Sequence, residues 1–138
     1  RQRQMCIRDR MHLNDIGRIV AREWHKTGQL RPYIALDEWV VMPNHFHAIV
    51  HIIKPDYAFE SSHAAQFGHP IAQSLASVIA SFKSAASREI RLQCNPHLIV
   101  WQRNFWDNII HHHHALISIR AYIHQNPARW QRDRFCRR

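Results

Sequence analysis

The stretch VVMPNHFHAIV (residues 40–50) sets His45 and His47 one residue apart, straight after a Pro-Asn pair. In a strand, side chains alternate between faces, so two histidines at this spacing share a face with roots about 7 Å apart. That spacing suits joint coordination of one ion. On the triplet alone, however, satisfied or solvent-facing strand histidines are the more frequent outcome. Further along, ALISIRAYIHQNP carries Tyr122 and Asn126 four residues apart, stacked on one face of a helix. Alone, Tyr122 reads as an amphipathic tyrosine at the core edge, and Asn126 as the asparagine that often precedes a helix-ending proline. The louder run, His111 to His114, is weaker chemically. Four successive helical residues splay around the axis, so only His111 and His114 meet on one side, which suits adventitious Ni²⁺ or Zn²⁺ rather than catalysis.

The elements that must carry these residues are legible from periodicity. NDIGRIVAREWHKTG (14–28) has an Asn/Asp cap, Ile16, Ile19, Val20 and Trp24 at helical spacing, and Gly28 placed to stop it. YIALDEWVV (33–41) reads as a strand, Pro43-Asn44 as a tight turn, and HFHAIVHII (45–53) as the returning strand of a hairpin. On that second strand Phe46, Ala48, Val50 and Ile52 face the helices, while His45, His47, Ile49 and His51 face away. Residues 54–73 read as a loop. A second helix spans 74–92, with Leu75, Val78, Ile79, Phe82 and Ile90 on its core side. HLIVWQ (97–102) is expected to be a short strand, and a last helix, about 111–126, is packed through Leu116, Ile119 and Ile123 and closed by Pro127. The order helix–strand–strand–helix–strand, plus an extra C-terminal helix, predicts an α+β fold. It is that of a ferredoxin-like antiparallel sheet lacking its first strand, with helices on one face.

MPNHFHAIV, SFKSAASREI, VWQRNFWDNII and IRAYIHQNPARW occur in the order and near the spacing found in bacterial REP-associated tyrosine transposases. The chain resembles that family, which belongs to the HUH single-tyrosine superfamily, the insertion-sequence-two-hundred-like group, over roughly residues 11–135. It departs from the pattern where the family's opening strand is replaced and where the four histidines at 111–114 stand in place of charged residues. The resemblance implies that His45 and His47, flanking Phe46, hold a divalent ion, that Tyr122 is the nucleophile, and that Asn126 is the third ligand through its amide oxygen. Two imidazoles and an amide oxygen leave open positions and suit Mg²⁺ or Mn²⁺ beside a phosphate oxygen. A phenol ordinarily holds its proton to about pH 10 and needs help to act. The family's reaction is strand transfer: the tyrosine displaces a 3′-hydroxyl and leaves a 5′-phosphotyrosine, which can be rejoined without ATP. Its implied partner is single-stranded DNA, often beside a palindromic hairpin, and a homodimer is compatible with it.

Composition agrees with such a partner without proving it. Lys and Arg outnumber Asp and Glu by 19 to 10, a formal charge of +9, and the sequence pI is near 10.5. This favours a polyanion. Lys83, Arg88, Arg91, Arg103, Arg120 and Arg129, with Arg132 and Arg134, could neutralise phosphates, and Trp101, Trp106, Phe105 or Trp130 could stack on unpaired bases. At least half of these are expected to be plain surface charges or core aromatics. Three widely spaced cysteines with no C-x-x-C pair fit a reducing cytoplasm. No apolar run approaches the roughly 20 residues that cross a bilayer. At 138 residues the chain is one domain. Residues 11–135 are expected to form it, with 136–138 ending a basic tail. RQRQMCIRDR (1–10) reads as a structureless tail and resembles translated sequencing-adapter read-through, which implies that the native protein begins further upstream. Two rivals to the transposase remain: a DNA-hairpin-binding protein without catalysis, and a truncated, inactive remnant with an unpaired sheet edge.

Overall fold

The computed structural model describes residues 6–7, 10–53 and 73–130. The expected loop at 54–73, except its last residue, and Arg132 and Arg134 in the basic tail lie outside the described residues. Two antiparallel ladders and three helices follow one another along the chain. They are β1 (Cys6–Ile7), β2 (Arg10–Met11), α1 (Asp15–Gln29), β3 (Ile34–Val41), β4 (Phe46–Ile52), α2 (Leu75–Gln93) and α3 (His113–Arg129). This is an α+β architecture. Within the stretch 1–10, expected to lack structure, Cys6 pairs with Met11 and Ile7 with Arg10.

Local signals start the first two helices. The Asn14 side chain accepts from the Gly17 N–H at 2.9 Å, and Ser74 does the same for Ser77 at 3.2 Å. Each satisfies one of the orphan donors of a first turn. Gly28 does not end α1, which runs one residue further. A Cβ at Gly28 would lie 2.7 Å from Leu36 Cγ on β3, so the glycine serves close helix–strand contact.

The buried centre is aromatic. Trp24 of α1 meets Phe46 of β4 edge-on at 5.0 Å and Phe82 of α2 at 4.9 Å. Ile19, Val20, Val41, Ala86 and Ile90 close around them. Leu36, Trp39, Phe46, Ala48 and Val50 pack onto this cluster, so α1 and α2 cover one face of the β3–β4 hairpin. Helix α3 lies on the opposite face, as its contacts with Asp37, His45 and His47 show.

A bulge interrupts the hairpin. Leu36 pairs with Val50 and Trp39 with Ala48, so Asp37 and Glu38 together oppose Ile49 alone. Without it, strict alternation would carry Asp37 to the same face as Trp39 and Val41. The extra residue lets Leu36, Trp39 and Val41 all serve the core, while Asp37 turns toward α3.

The strand expected at 97–102 does not form. Leu98 and Val100 still pack on the core and Ile99 is 85% exposed, so the in-and-out alternation survives. Backbone groups at both ends of the stretch, however, are bound elsewhere. The Asn95 side chain accepts from His97 N at 2.9 Å and the Asn95 carbonyl from Leu98 N at 3.3 Å. The Lys83 ammonium donates to the carbonyls of Gln102 and Asn104 at 3.1 and 3.2 Å. The main sheet among the described residues therefore has two strands.

Pro127 does not close the last helix either; α3 continues to Arg129. A proline so near the end removes one intrahelical donor, and the tightened final turn, with Trp130 N–H donating to the Pro127 carbonyl, absorbs the change. At the other end α3 begins at His113, so His111 and His112 precede the helix and the expected stacking of His111 with His114 is absent.

Candidate functional site

The hairpin turn places the first histidine. Met42 N–H donates to the His45 carbonyl at 2.9 Å, closing the Pro43-Asn44 turn, and β4 starts one residue later at Phe46. His45 therefore sits at the turn rather than in the strand, yet its ring comes back to His47. The two ring centroids are 4.7 Å apart and nearly perpendicular. His45 Nδ1 lies 2.7 Å from the Asn44 amide oxygen. That oxygen only accepts, so Nδ1 carries the proton. The Nε2 atoms of both histidines are buried.

Helix α3 and its C-cap bring two rings against this pair. Tyr122 stands edge-on to His47, centroid to centroid 5.5 Å, and Trp130 lies 5.9 Å from His45. Asn126 falls midway between them, one turn from each on the same helix face. It is 3% exposed, and its Nδ2 is buried with no hydrogen-bond partner among the described residues. An unmet buried amide donor costs about 1–3 kcal/mol. Turning the amide over would present its oxygen instead, an acceptor that a cation satisfies. Among the described residues no three His, Cys, Asp or Glu side chains gather into a metal-holding group. The donor set on offer is two imidazoles and an amide. Such a mixed nitrogen and oxygen set could hold a divalent ion and leave positions open. The Tyr122 side chain remains accessible, at 50% exposure.

The structure sorts the expected phosphate- and base-contacting residues into two groups. Arg88, Arg91, Arg103 and Arg129 are exposed. Arg88 and Arg91 line a shallow 450 Å³ groove on α2 with Ser84 and Ser87. Trp106 is fully exposed. Lys83, Trp101 and Arg120 have internal partners. The Lys83 ammonium holds the 102–104 backbone and sits 5.9 Å above the rings of Trp101 and Phe105. Its burial lowers its pKa. Trp101 packs against Phe82 at 5.4 Å. Arg120 grips Asp37 with two bonds, Nε to Oδ1 at 2.9 Å and Nη2 to Oδ2 at 2.6 Å. His51, on the same face, donates from Nε2 to Asp37 Oδ2 at 2.6 Å. These bonds, the Arg120 pair foremost, hold the Asp37 carboxyl well below the usual carboxylate range, against the opposing effect of burial. The histidines at 111–114 are all exposed.

Sequence reasoning missed Asp37. Its signal was faint: one of ten acidic residues, on a strand whose regular alternation assigns it to the wrong face.

Fold and site together define an α+β chain whose hairpin carries a histidine pair beneath a tyrosine- and asparagine-bearing helix. The chain belongs to the family of an uncharacterized protein of Haemophilus influenzae. The two are 31% identical over 135 residues, covering 92% of this chain and 73% of the relative. No family model matches the chain, and no solved structure matches it. No helix among the described residues is long and apolar enough to cross a membrane.

Proposed function

We propose that the protein is a metal-dependent transposase or endonuclease acting on single-stranded DNA, cutting and rejoining it through a 5′-phosphotyrosine at palindromic hairpin repeats. The observation that carries this reading is the approach of Tyr122 to within 5.5 Å of His47, whose ring stands 4.7 Å from that of His45. The residues come from two elements some 75 positions apart in sequence, and the half-exposed Tyr122 ring meets the His47 imidazole edge-on.

His45, His47 and Asn126 would hold Mg²⁺ or Mn²⁺, which would supply charge to polarise the scissile phosphodiester and steady its transition state. The Tyr122 oxygen forms the new bond to phosphorus, its proton passing to solvent at the exposed side. The bond from phosphorus to the 3′-oxygen breaks, and that oxygen leaves as a hydroxyl after taking up a proton. The phosphotyrosine is itself a phosphodiester, so a 3′-hydroxyl attacking it restores a DNA strand and frees the phenol. Arg88, Arg91, Arg103 and Arg129 are accessible to the phosphate backbone and Trp106 to unpaired bases. A ferredoxin-like arrangement of the α+β fold, a cytoplasmic location and a homodimer complete the reading.

The experiment is incubation of the protein with a labelled hairpin oligonucleotide and Mn²⁺, followed by a denaturing gel. A covalent protein–DNA band that depends on metal and vanishes in Tyr122→Phe is expected. A band that survives in Tyr122→Phe overturns the assignment. Hairpin binding that needs no metal, with no band at all, leaves a DNA-binding protein without catalysis.

A further inference from the structure

Asp37 and Arg120 are 83 residues apart in sequence, and their side chains make the paired contact of a fork-shaped guanidinium with a carboxylate. Arg120 is two residues before Tyr122, and the two bracket the seated face of α3. At 3.6 residues per turn they point about 160° apart, one on either side of the buried Ile123. A cylinder seated on a smooth apolar stripe is free to roll. A directional two-bond contact on one flank is not, and any roll of the helix swings the opposite flank by a comparable arc.

The carboxylate is fully used. Asp37 Oδ1 accepts from Arg120 Nε and from Glu38 N at 2.7 Å. Oδ2 accepts from Arg120 Nη2 and His51 Nε2, both at 2.6 Å. A carboxylate has about four acceptor positions, so none is left for a metal ion or a reacting proton. The bulge at Asp37–Glu38 is what turns this side chain toward α3. A charged pair with bonds this directional specifies geometry more than it adds stability.

We infer that Asp37 and Arg120 form a rotational pin that fixes the angle of α3 and so holds Tyr122 over the His45–His47 pair. Both are positioning residues; neither touches the reacting atoms. The inference rests on Tyr122 as the nucleophile only for its catalytic consequence, since the ring geometry can be measured by itself.

The test compares the unaltered protein with Arg120→Gln, Asp37→Asn, Arg120→Lys and His51→Ala. Three readouts are taken: proton–proton NOEs between the Tyr122 and His47 rings, amide exchange along each helix, and the rate of adduct formation on a saturating hairpin oligonucleotide. Arg120→Gln and Asp37→Asn are expected to lose the ring NOEs while exchange in α1 and α2 stays unchanged. They should form adduct roughly tenfold to hundredfold more slowly, as expected for a misplacement of about 1 Å, with hairpin affinity unaltered. Arg120→Lys, which keeps the charge but not the fork, should fall between. His51→Ala, which leaves both guanidinium bonds in place, should keep the NOEs. Ring NOEs that persist in Arg120→Gln and Asp37→Asn overturn the pin. So does loss of protection in α1 and α2 as large as in α3, which marks a general stabiliser. If Arg120→Gln does not fold, Arg120→Lys carries the same comparison. A wild-type protein with intact ring NOEs and no adduct refutes the catalytic reading, while the NOEs and exchange still decide the pin.

Discussion

Tyr122 meets His47 edge-on, with ring centroids 5.5 Å apart, although one lies on the last helix and the other on the central hairpin. If this is a nucleophile beside a metal ligand, the two roles are separable. Tyr122→Phe is expected to bind Mn²⁺ and hairpin DNA as the wild type does while forming no adduct. Manganese binding followed by its electron spin resonance signal, beside a gel assay, makes the comparison. Lost metal binding in Tyr122→Phe would speak against a purely nucleophilic role.

Metal should stabilise the fold through the histidine pair. At a concentration of free Mn²⁺ one hundred times its Kd, the gain is about 2.7 kcal/mol, seen as a rise in Tm. Neither His47→Ala nor His45→Ala should show that rise. Asn126→Ala should weaken the rise and leave metal-free stability little changed, because it removes an amide donor that is buried without a partner. A Tm rise of equal size in all variants points to the exposed histidines at 111–114 instead.

Salt and truncation experiments sort the basic and aromatic residues. Trp106→Ala should weaken single-strand binding by about 1–3 kcal/mol with unchanged stability, since the ring is fully exposed. Arg103→Ala and Arg129→Ala should each lower the steepness with which affinity falls as salt rises. Lys83→Ala should act oppositely, releasing the 102–104 backbone and lowering stability, with little effect on the salt slope. Fluorescence titrations at several salt concentrations, paired with urea melts, test all four.

The Asp37 pair has a pH signature. The folded state lowers the pKa of this carboxyl below its unfolded value of about 3.9, so its contribution is complete above that value. It declines as pH falls from there toward the lowered folded value. The stability difference between wild type and Asp37→Asn should therefore shrink as pH falls below about 4. Urea unfolding across that range measures it; a difference unchanged into strong acid contradicts the assignment.

Phe82→Ala should be among the most damaging core changes, costing about 3–5 kcal/mol. The ring is 2% exposed and touches Trp24, Phe46 and Trp101. Chemical denaturation gives the value directly, and a loss below about 1 kcal/mol would mean that the aromatic cluster re-forms around the gap.

The elements that formed where expected are those whose reasons are local. Asn14 and Ser74 cap helices, Val78, Phe82 and Ile90 recur at helical spacing and are buried, and Pro43-Asn44 turns the hairpin. The same local reasoning put His45 with His47, and Tyr122 with Asn126, each pair on one face of its own element. It also overreached. Leu98 and Val100 alternate like a strand, but a strand needs a partner, and Asn95 and Lys83 bind backbone groups at the two ends of this stretch instead. Gly28 and Pro127 are both helix-ending types, yet one admits Leu36 and the other falls in a last turn that tightens around it.

By itself, then, the order of residues determined the elements, their apolar stripes and the two chemical pairs, because periodicity and capping act over a single turn or a strand's length. Only the tertiary structure decided that the pairs meet, that Asp37 leaves the core face for Arg120, and that Lys83 and Trp101 turn inward. Those outcomes depend on one inserted residue in the hairpin and on contacts between positions as far apart as 83 residues. No local pattern encodes a contact of that range, since its energy exists only once both elements are packed.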